Sequence, residues 1–133
     1  MILIDSNIPM VLVGQKHPLK ARAVELCREL AGRKMVADAE VMQEILHRYS
    51  AIDRRDAIQP CFDALYGLVD EILPVTEQTV LEAKVLMLAV RSDRLQLSAR
   101  DALHAAVMRE HRINDILSFD AGFDSLASIR RLY

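Results

Sequence analysis

The chain has 133 residues, 52% of them hydrophobic, which is enough for one domain with a substantial core and argues against disorder. Its 17 basic and 19 acidic side chains leave a net charge of -2, so no overall positive field predicts nucleic-acid binding, and any such contact must be local. The two cysteines lack metal-ligand spacing and are interpreted as small core residues in a reducing compartment.

Short apolar runs alternate with stretches of helical period along the whole chain. This order predicts an α/β fold, in which one domain over residues 1–133 has a central, mainly parallel, twisted sheet of about five strands flanked by helices. No apolar run approaches a membrane span, and Asp5 interrupts the first run after four residues. The sequence therefore predicts a cytoplasmic protein without membrane contact. The predicted strands are Met1–Asp5, Lys34–Ala37, Ile72–Val75, Asp115–Phe119 and Ile129–Tyr133.

Helical patterns fill the segments between these strands. Pro18–Ala31 begins with a proline suited to a first helical position and ends at Gly32, which can supply a left-handed residue at the end of a helix. Pro60 is expected to divide residues 53–71 into two helices. Three further helices are predicted from their capping residues: 39–51 after Asp38, 78–92 opened by Thr76 or Glu77, and 99–112 after Ser98.

Acidic residues collect where the strands end, which is the edge of a parallel sheet at which ligands bind. Asp5 ends the first strand, Asp38 follows the second, and Asp120 lies just past the fourth. Asp101 falls in the first turn of the helix over 99–112, and Glu44 lies on the helix that follows the second strand. The sequence thus predicts a carboxylate-rich edge.

Each of these acids also has a structural interpretation, as a helix cap, a capping-box partner, a solvated helix residue or a loop former near Gly122. We favour that interpretation for Asp38 and Glu40, and for Asp124 the two interpretations are balanced. The other four gain weight as a set, because carboxylates forced together repel one another and a divalent cation removes the repulsion. The predicted metal ligands and catalytic residues are Asp5, Glu44, Asp101 and Asp120.

Oxygen donors without cysteine or histidine predict a hard ion, Mg²⁺ or Mn²⁺. Such an ion can activate water and stabilise charge on phosphorus, which makes phosphodiester hydrolysis the leading chemistry. Phosphate-binding glycine loops, the G-x-S-x-G elbow and the H-E-x-x-H motif are absent from the sequence. The four histidines are interpreted as structural, although His104, one turn beyond Asp101, could donate a hydrogen bond near the site.

The sequence resembles the PIN-domain ribonucleases, and among them the VapC-type toxins of prokaryotic toxin–antitoxin pairs, over essentially its whole length. MILIDSN is similar to the opening strand of that family, and HPLKARA after it also resembles these toxins. DAEVMQEILHRY is similar to the segment that carries the single glutamate of the family, which favours Glu44 over Glu40. LSARDALHAAVMREHRINDILSFDAGFDSL is similar to the longest signature and supplies Asp101 and Asp120.

The resemblance implies a PIN-like three-layer α/β/α fold and a Mg²⁺- or Mn²⁺-dependent endoribonuclease. It implies that the four acids hold the ion, and that the protein forms a homodimer inhibited by a cognate VapB-type antitoxin. Ser6 stands where many relatives have threonine, and it keeps the hydroxyl. Asp124 matches an acid found in some members and is placed outside the direct ligands. The supporting residues implied are Ser6, Asn7 and Asp124.

An RNA substrate requires local positive charge. Arg100 is a candidate because it neighbours Asp101, and base stacking has little material in a chain with no Trp and three Phe, which favours recognition of RNA shape. The arginine candidates are Arg48, Arg54, Arg55, Arg91, Arg94 and Arg100, of which Arg48, Arg94 and Arg100 are the predicted RNA-binding set.

Two other functions compete with the nuclease, and the first of them also places acids at strand ends. A receiver-type regulatory domain would need an acceptor aspartate just after the third strand, where this chain has Val75 and Thr76. A non-catalytic interaction module with a degenerate metal site would fit the balanced charge. Metal-dependent RNA cleavage distinguishes the nuclease from both.

Overall fold

A computed structural model describes residues 1–89 and 97–133, and in it five strands form a single sheet. The strands are β1 (Ile2–Ile4), β2 (Met35–Asp38), β3 (Glu71–Leu73), β4 (Asp115–Leu117) and β5 (Arg130–Leu132). Their order is β3-β2-β1-β4-β5, and every pairing is parallel. The predicted α/β class is confirmed, and each predicted strand overlaps an observed one.

Six helices surround the sheet in the described part of the chain. They are α1 (Asn7–Val13), α2 (Lys20–Glu29), α3 (Ala39–Ala51), α4 (Ile58–Leu68), α5 (Glu77–Ala89) and α6 (Ala99–Glu110). Both predicted N-caps are confirmed, because Asp38 accepts from the Val41 N–H and Ser98 accepts from the Asp101 N–H. The end of the helix predicted over 78–92 lies outside the described residues.

The predicted break at Pro60 is wrong. Pro60 is the third residue of α4, where its missing N–H costs nothing because the first four N–H groups of a helix have no intrahelical acceptor. A short 3₁₀ turn, Arg55–Ala57, precedes α4 instead. Gly32 does have a positive φ of 93°, but it lies two residues beyond Leu30, which caps the end of α2.

Alternate strand residues face opposite helical layers, as the pleat of a strand requires. Leu3 of β1 packs in one cluster with Val107 of α6, whereas Ile2 and Ile4 pack in another with Ile8 of α1 and with α2. Buried residues of α3 and α4 extend the second layer, and α5 packs on α6 through alanines. No described helix is long and apolar enough to cross a membrane.

The parallel sheet brings all strand carboxyl ends to one edge. The Asp5 N–H donates to the Leu117 carbonyl at 3.1 Å, so β1 and β4 end side by side. Asp5 and Ser118, which directly follow these two strands, are both buried. This edge is where the predicted acids must meet.

Candidate active site

A cleft of about 440 Å³ opens at the carboxyl edge of the sheet, and the four predicted acids line it. Asp5 comes from the turn after β1, Glu44 from α3, Asp101 from the first turn of α6 and Asp120 from the loop after β4. Four segments distant in sequence therefore converge on one place. The other lining residues are Ser6, Asn7, Met10, Arg48, Ser98, Ala99 and Arg100.

Asp5 is buried and accepts hydrogen bonds on both of its carboxylate oxygens. One carboxylate oxygen accepts from the Ser6 N–H at 2.7 Å, and the other accepts from the Ser118 hydroxyl and the Asn7 amide. Burial raises the pKa of the Asp5 carboxyl, so the ionised form is costly in the absence of a cation. The structure thus brings the predicted supporting residues Ser6 and Asn7 onto Asp5.

Ser118 is a site residue that the sequence interpretation missed. Its hydroxyl donates to Asp5 and accepts from the Asp120 N–H at 2.9 Å and from the Asn7 amide at 3.1 Å. One buried side chain therefore connects two of the predicted acids. The available signal was position, because Ser118 is the first residue after β4 and lies at the carboxyl edge.

His104 is fully buried between two carboxylates. Its Nδ1 lies 2.8 Å from Asp38 Oδ2 and its Nε2 lies 3.3 Å from Glu44 Oε1. Burial opposes the charged form, but Asp38 and Glu44 raise the pKa of His104 well above its ordinary value. Burial pushes the pKa of Glu44 upward, but the hydrogen bond and charge of His104, with smaller contributions from Ser6 and Arg100, together outweigh burial and lower that pKa. Asp38 also caps α3, as predicted, with its other oxygen.

These contacts orient Glu44 toward Asp5. Asp5, Glu44 and His104 each place one potential ligand atom within 4.8 Å of the others. Both ring nitrogens of His104 already face carboxylates, so the histidine supports the cluster through Glu44. The option that His104 donates near the site agrees with this geometry better than a purely structural role.

Asp101 and Asp120 approach each other at Gly122. A Cβ atom added to Gly122 would lie 3.1 Å from Asp120 Oδ1 and 3.5 Å from Asp101 Oδ2. Burial raises the pKa of Asp101, and the charge of Asp120 adds to the effect. The Gly122 N–H donates to Asp120 Oδ1 at 2.8 Å and fixes that carboxylate in its loop.

Within residues 1–89 and 97–133, no lysine or arginine forms an ion pair with any of the four acids that line the cleft. The four acids offer carboxylate oxygens as ligand atoms, and these are the ligands that Mg²⁺ and Mn²⁺ prefer. Arg48 and Arg100 line the same cleft and are exposed. The residues present therefore fit a hard divalent cation with a negatively charged ligand above it.

Other predicted residues lie away from the cleft or outside the described chain. Asp124 forms a two-point ion pair with Arg131 at 2.8 and 2.7 Å and does not line the cleft. Arg54 pairs with Asp56. Arg94, together with Arg91, lies in the segment that the structure does not describe.

Known proteins share this sequence and fold. A family model described as "PIN domain" matches residues 2–129. The chain is 54% identical to ribonuclease VapC13 of Mycobacterium tuberculosis over 134 aligned positions, which cover 99% of each chain. Among solved structures, VapC20 of M. tuberculosis, a toxin that cleaves the sarcin–ricin loop, matches with a TM-score of 0.75 and 21% identity over 96% of this chain and 95% of that one.

A second solved structure is VapBC2 of Rickettsia felis bound to a DNA fragment from its promoter. It matches with a TM-score of 0.76 and 16% identity over 99% of this chain and 98% of that chain. At these identities the two solved structures show the fold, and the relationship to VapC13 carries the family.

Proposed function

Because this chain belongs to the PIN domain family and, within it, to the VapC ribonucleases, we propose that its acidic cleft is where RNA is cut. The protein is a metal-dependent endoribonuclease and the toxin component of a VapBC-type toxin–antitoxin pair. Residues 1–133 form a single PIN-like domain that acts in the cytoplasm.

The observation that carries the site is the convergence of four carboxylates, none of which is paired with an arginine or lysine in the described chain. Asp5 and Asp101 both have raised pKa values, chiefly from burial, so gathering these ionised carboxylates costs the fold stability. Mg²⁺ or Mn²⁺ held by these acids offsets that cost and, when bound, supplies an activated water and charge stabilisation at phosphorus. The ligands we propose are Asp5, Glu44, Asp101 and Asp120.

The remaining residues of the cleft orient these acids and receive the substrate. Ser6, Asn7 and Ser118 hold Asp5, and His104 holds Glu44. Arg48 and Arg100 are exposed at the cleft, where their guanidinium groups can bind RNA phosphates beside the scissile bond. These two arginines thereby offer positive charge to the substrate at a predominantly acidic cleft.

The partner we propose is a cognate VapB-type antitoxin, in keeping with the VapBC2 assembly among the structural neighbours. A homodimer is proposed as well. Helix α5 supports protein contacts, because it exposes apolar side chains on one side. Val80 is 51% exposed, Val85 52% and Leu88 72%.

The receiver-type alternative has no support in the fold. Its acceptor aspartate would follow the third strand. In this chain β3 is an outermost strand of the sheet, and the residues after it are Pro74, Val75 and Thr76. The acids of this chain instead gather around the central strand β1.

The test is RNA cleavage by the chain purified free of antitoxin. Cleavage should require Mg²⁺ or Mn²⁺ and stop with chelator. Asp5→Asn should lower the rate by at least about a hundredfold, because even residues that only support a metal ligand cost up to that much when replaced. Asp115→Asn is the matched control, since Asp115 is equally buried at 5% exposure but lies at the opposite edge of the sheet.

Metal-independent cleavage, or full activity of Asp5→Asn, would contradict the proposal. Mn²⁺ binding without cleavage of any RNA in a total cellular digest would instead favour a degenerate interaction module. Mapping the new RNA 5′ ends after brief expression identifies the target and the bond.

A further inference from the structure

Arg131 of β5 joins the two ends of the loop that carries Asp120. Its side chain is only 7% exposed. Nε and Nη2 donate to the two carboxylate oxygens of Asp124 at 2.8 and 2.7 Å, and Nη1 donates to the Ser118 carbonyl at 3.4 Å. One guanidinium thus spans the loop from its first residue to its far end.

Local hydrogen bonds shape the tip of this loop. Asp120 bonds to Ser118 and Gly122, and the Ser125 hydroxyl donates to the Gly122 carbonyl at 2.8 Å. Buried Phe123 anchors the apolar side of the loop in the core. Asn7 Oδ1 accepts from the Phe119 N–H at 3.2 Å. Arg131 adds a polar contact from the neighbouring strand, at the backbone next to the Ser118 hydroxyl that contacts Asp5.

The guanidinium is itself held in place. Its central carbon lies 3.7 Å from the centre of the Tyr133 ring, a stacking geometry that favours arginine. The Tyr133 carbonyl in turn accepts from Arg22 Nη2 of α2 at 3.0 Å. The Tyr133 ring, the Asp124 carboxylate and the Ser118 carbonyl together restrict the Arg131 side chain. The two-point pair with Asp124 also fixes the direction of the guanidinium.

We propose that Arg131 is a positioning residue that holds the 118–124 loop so that Asp120 faces the other acids. In this arrangement Asp124 serves as the partner of Arg131 and does not bind the ion, because both its oxygens accept from the guanidinium. The inference deepens the proposed function and rests on it. It assigns a task to two residues that do not line the cleft.

The experiment compares Arg131→Gln, Arg131→Lys and Asp124→Asn with a control on the same strand, Arg130→Gln. Arg130 makes an equivalent two-point pair, with Asp115 at 2.8 and 2.8 Å, but at the opposite edge of the sheet. Four quantities are measured: Mn²⁺ affinity by electron paramagnetic resonance of the free ion, hydrogen exchange of amides 118–125 without metal, cleavage against Mn²⁺ concentration, and the melting temperature.

Arg131→Gln and Asp124→Asn should each weaken Mn²⁺ binding roughly tenfold and accelerate exchange in 118–125. Saturating Mn²⁺ should restore most of the cleavage rate. Arg131→Lys should fall between, because it keeps the charge and loses the planar fork. Arg130→Gln should lower the melting temperature and leave Mn²⁺ affinity and loop exchange unchanged.

The outcomes separate this inference from the proposed function. A wild-type protein that binds no Mn²⁺ overturns the proposed metal site and this inference with it. If the wild type binds Mn²⁺ and Arg131→Gln binds it equally tightly, with the same exchange of amides 118–125, only the positioning role is overturned. Weakened binding in Asp124→Asn but not in Arg131→Gln also overturns it, because Asp124 would then contact the ion directly. Asp124 is 53% exposed, so its asparagine variant is expected to fold.

Discussion

Both edges of the sheet collect acidic residues, but the described arginines and lysines pair with the acids of the amino edge and not with the four acids of the cleft. At the amino edge, Asp115 of β4 accepts from Arg33 at 2.6 Å and from Arg130 at 2.8 Å, and Lys34 pairs with Glu71 at 2.9 Å. At the carboxyl edge, the acids of the cleft have no such arginine or lysine within the described ranges. The same strands therefore carry two kinds of charge cluster.

The pKa values express this difference. The hydrogen bond from Arg130, which outweighs burial, together with Arg33, lowers the pKa of Asp115 to about 2, so that carboxylate stabilises the fold when ionised. Burial raises the pKa of Asp5, so the ionised form there costs stability. Acids that a fold keeps at a cost are candidates for function, whereas the pairing of Asp115 with two arginines marks that residue as structural.

Addition of Mn²⁺ should separate the two edges most clearly. At a free concentration about a hundred times the dissociation constant, binding should raise the free energy of unfolding of the wild type by about 2.7 kcal/mol. Asp101→Asn should lose most of this gain, and Asp115→Asn should keep it. Denaturant titrations with Mn²⁺ or chelator measure the effect. Equal losses in both variants would remove the distinction between the edges.

Replacing the paired acid should destabilise the protein without affecting catalysis. Asp115→Asn loses its charge-assisted bonds to Arg33 and Arg130, which we expect to lower the free energy of unfolding by about 1–2 kcal/mol. The loss is moderate because these arginines are 41% and 71% exposed and return to water. Urea titration in chelator gives the stability. A fall in cleavage by the folded variant at saturating Mn²⁺ would show that the edges are coupled.

The pH dependence of the same variant follows from the lowered pKa. Asp115 titrates at about 2 in the folded protein and near 3.9 when unfolded, so its stabilisation is complete above the unfolded value and is lost as pH falls through about 2. The stability gap between wild type and Asp115→Asn should be constant above about pH 5 and close toward pH 2. Urea titrations of both proteins across this pH range measure the difference in stability. If that difference is undiminished at the lowest pH, Asp115→Asn loses stability through packing and not through charge.

Local sequence patterns predicted the elements whose signals are local. Helix α3 was predicted from Asp38 and the period after it, and the structure has the same bounds, Ala39–Ala51. The edge that holds Asp5 followed from strand order, because parallel strands end together. Pro60 was misinterpreted because proline is equally compatible with a helix break and with a first turn, and the sequence does not mark which applies.

Contacts between distant segments were beyond such patterns. His104 meets Asp38 across 66 positions, and Ser118 meets Asp5 across 113. No periodicity links residues so far apart, and each has an ordinary local role as a helix or strand-end residue. The family resemblance placed the four acids, but it did not indicate which neutral or basic side chains hold them.

Gly122 gives the smallest test, because it probes spacing at the carboxyl edge without altering any charge. In Gly122→Ala the new methyl group would lie 3.1 Å from Asp120 Oδ1, so that carboxylate must move by a few tenths of an ångström. A misplacement of 1 Å costs on the order of a hundredfold in rate, so a shift of this size should cost roughly three- to fivefold. Cleavage kinetics at saturating Mn²⁺ measure it. Gly67→Ala is the control, because a Cβ there meets nothing within 4 Å; equal rates for both variants would mean that Asp120 tolerates displacement and that the close approach to Asp101 is not required.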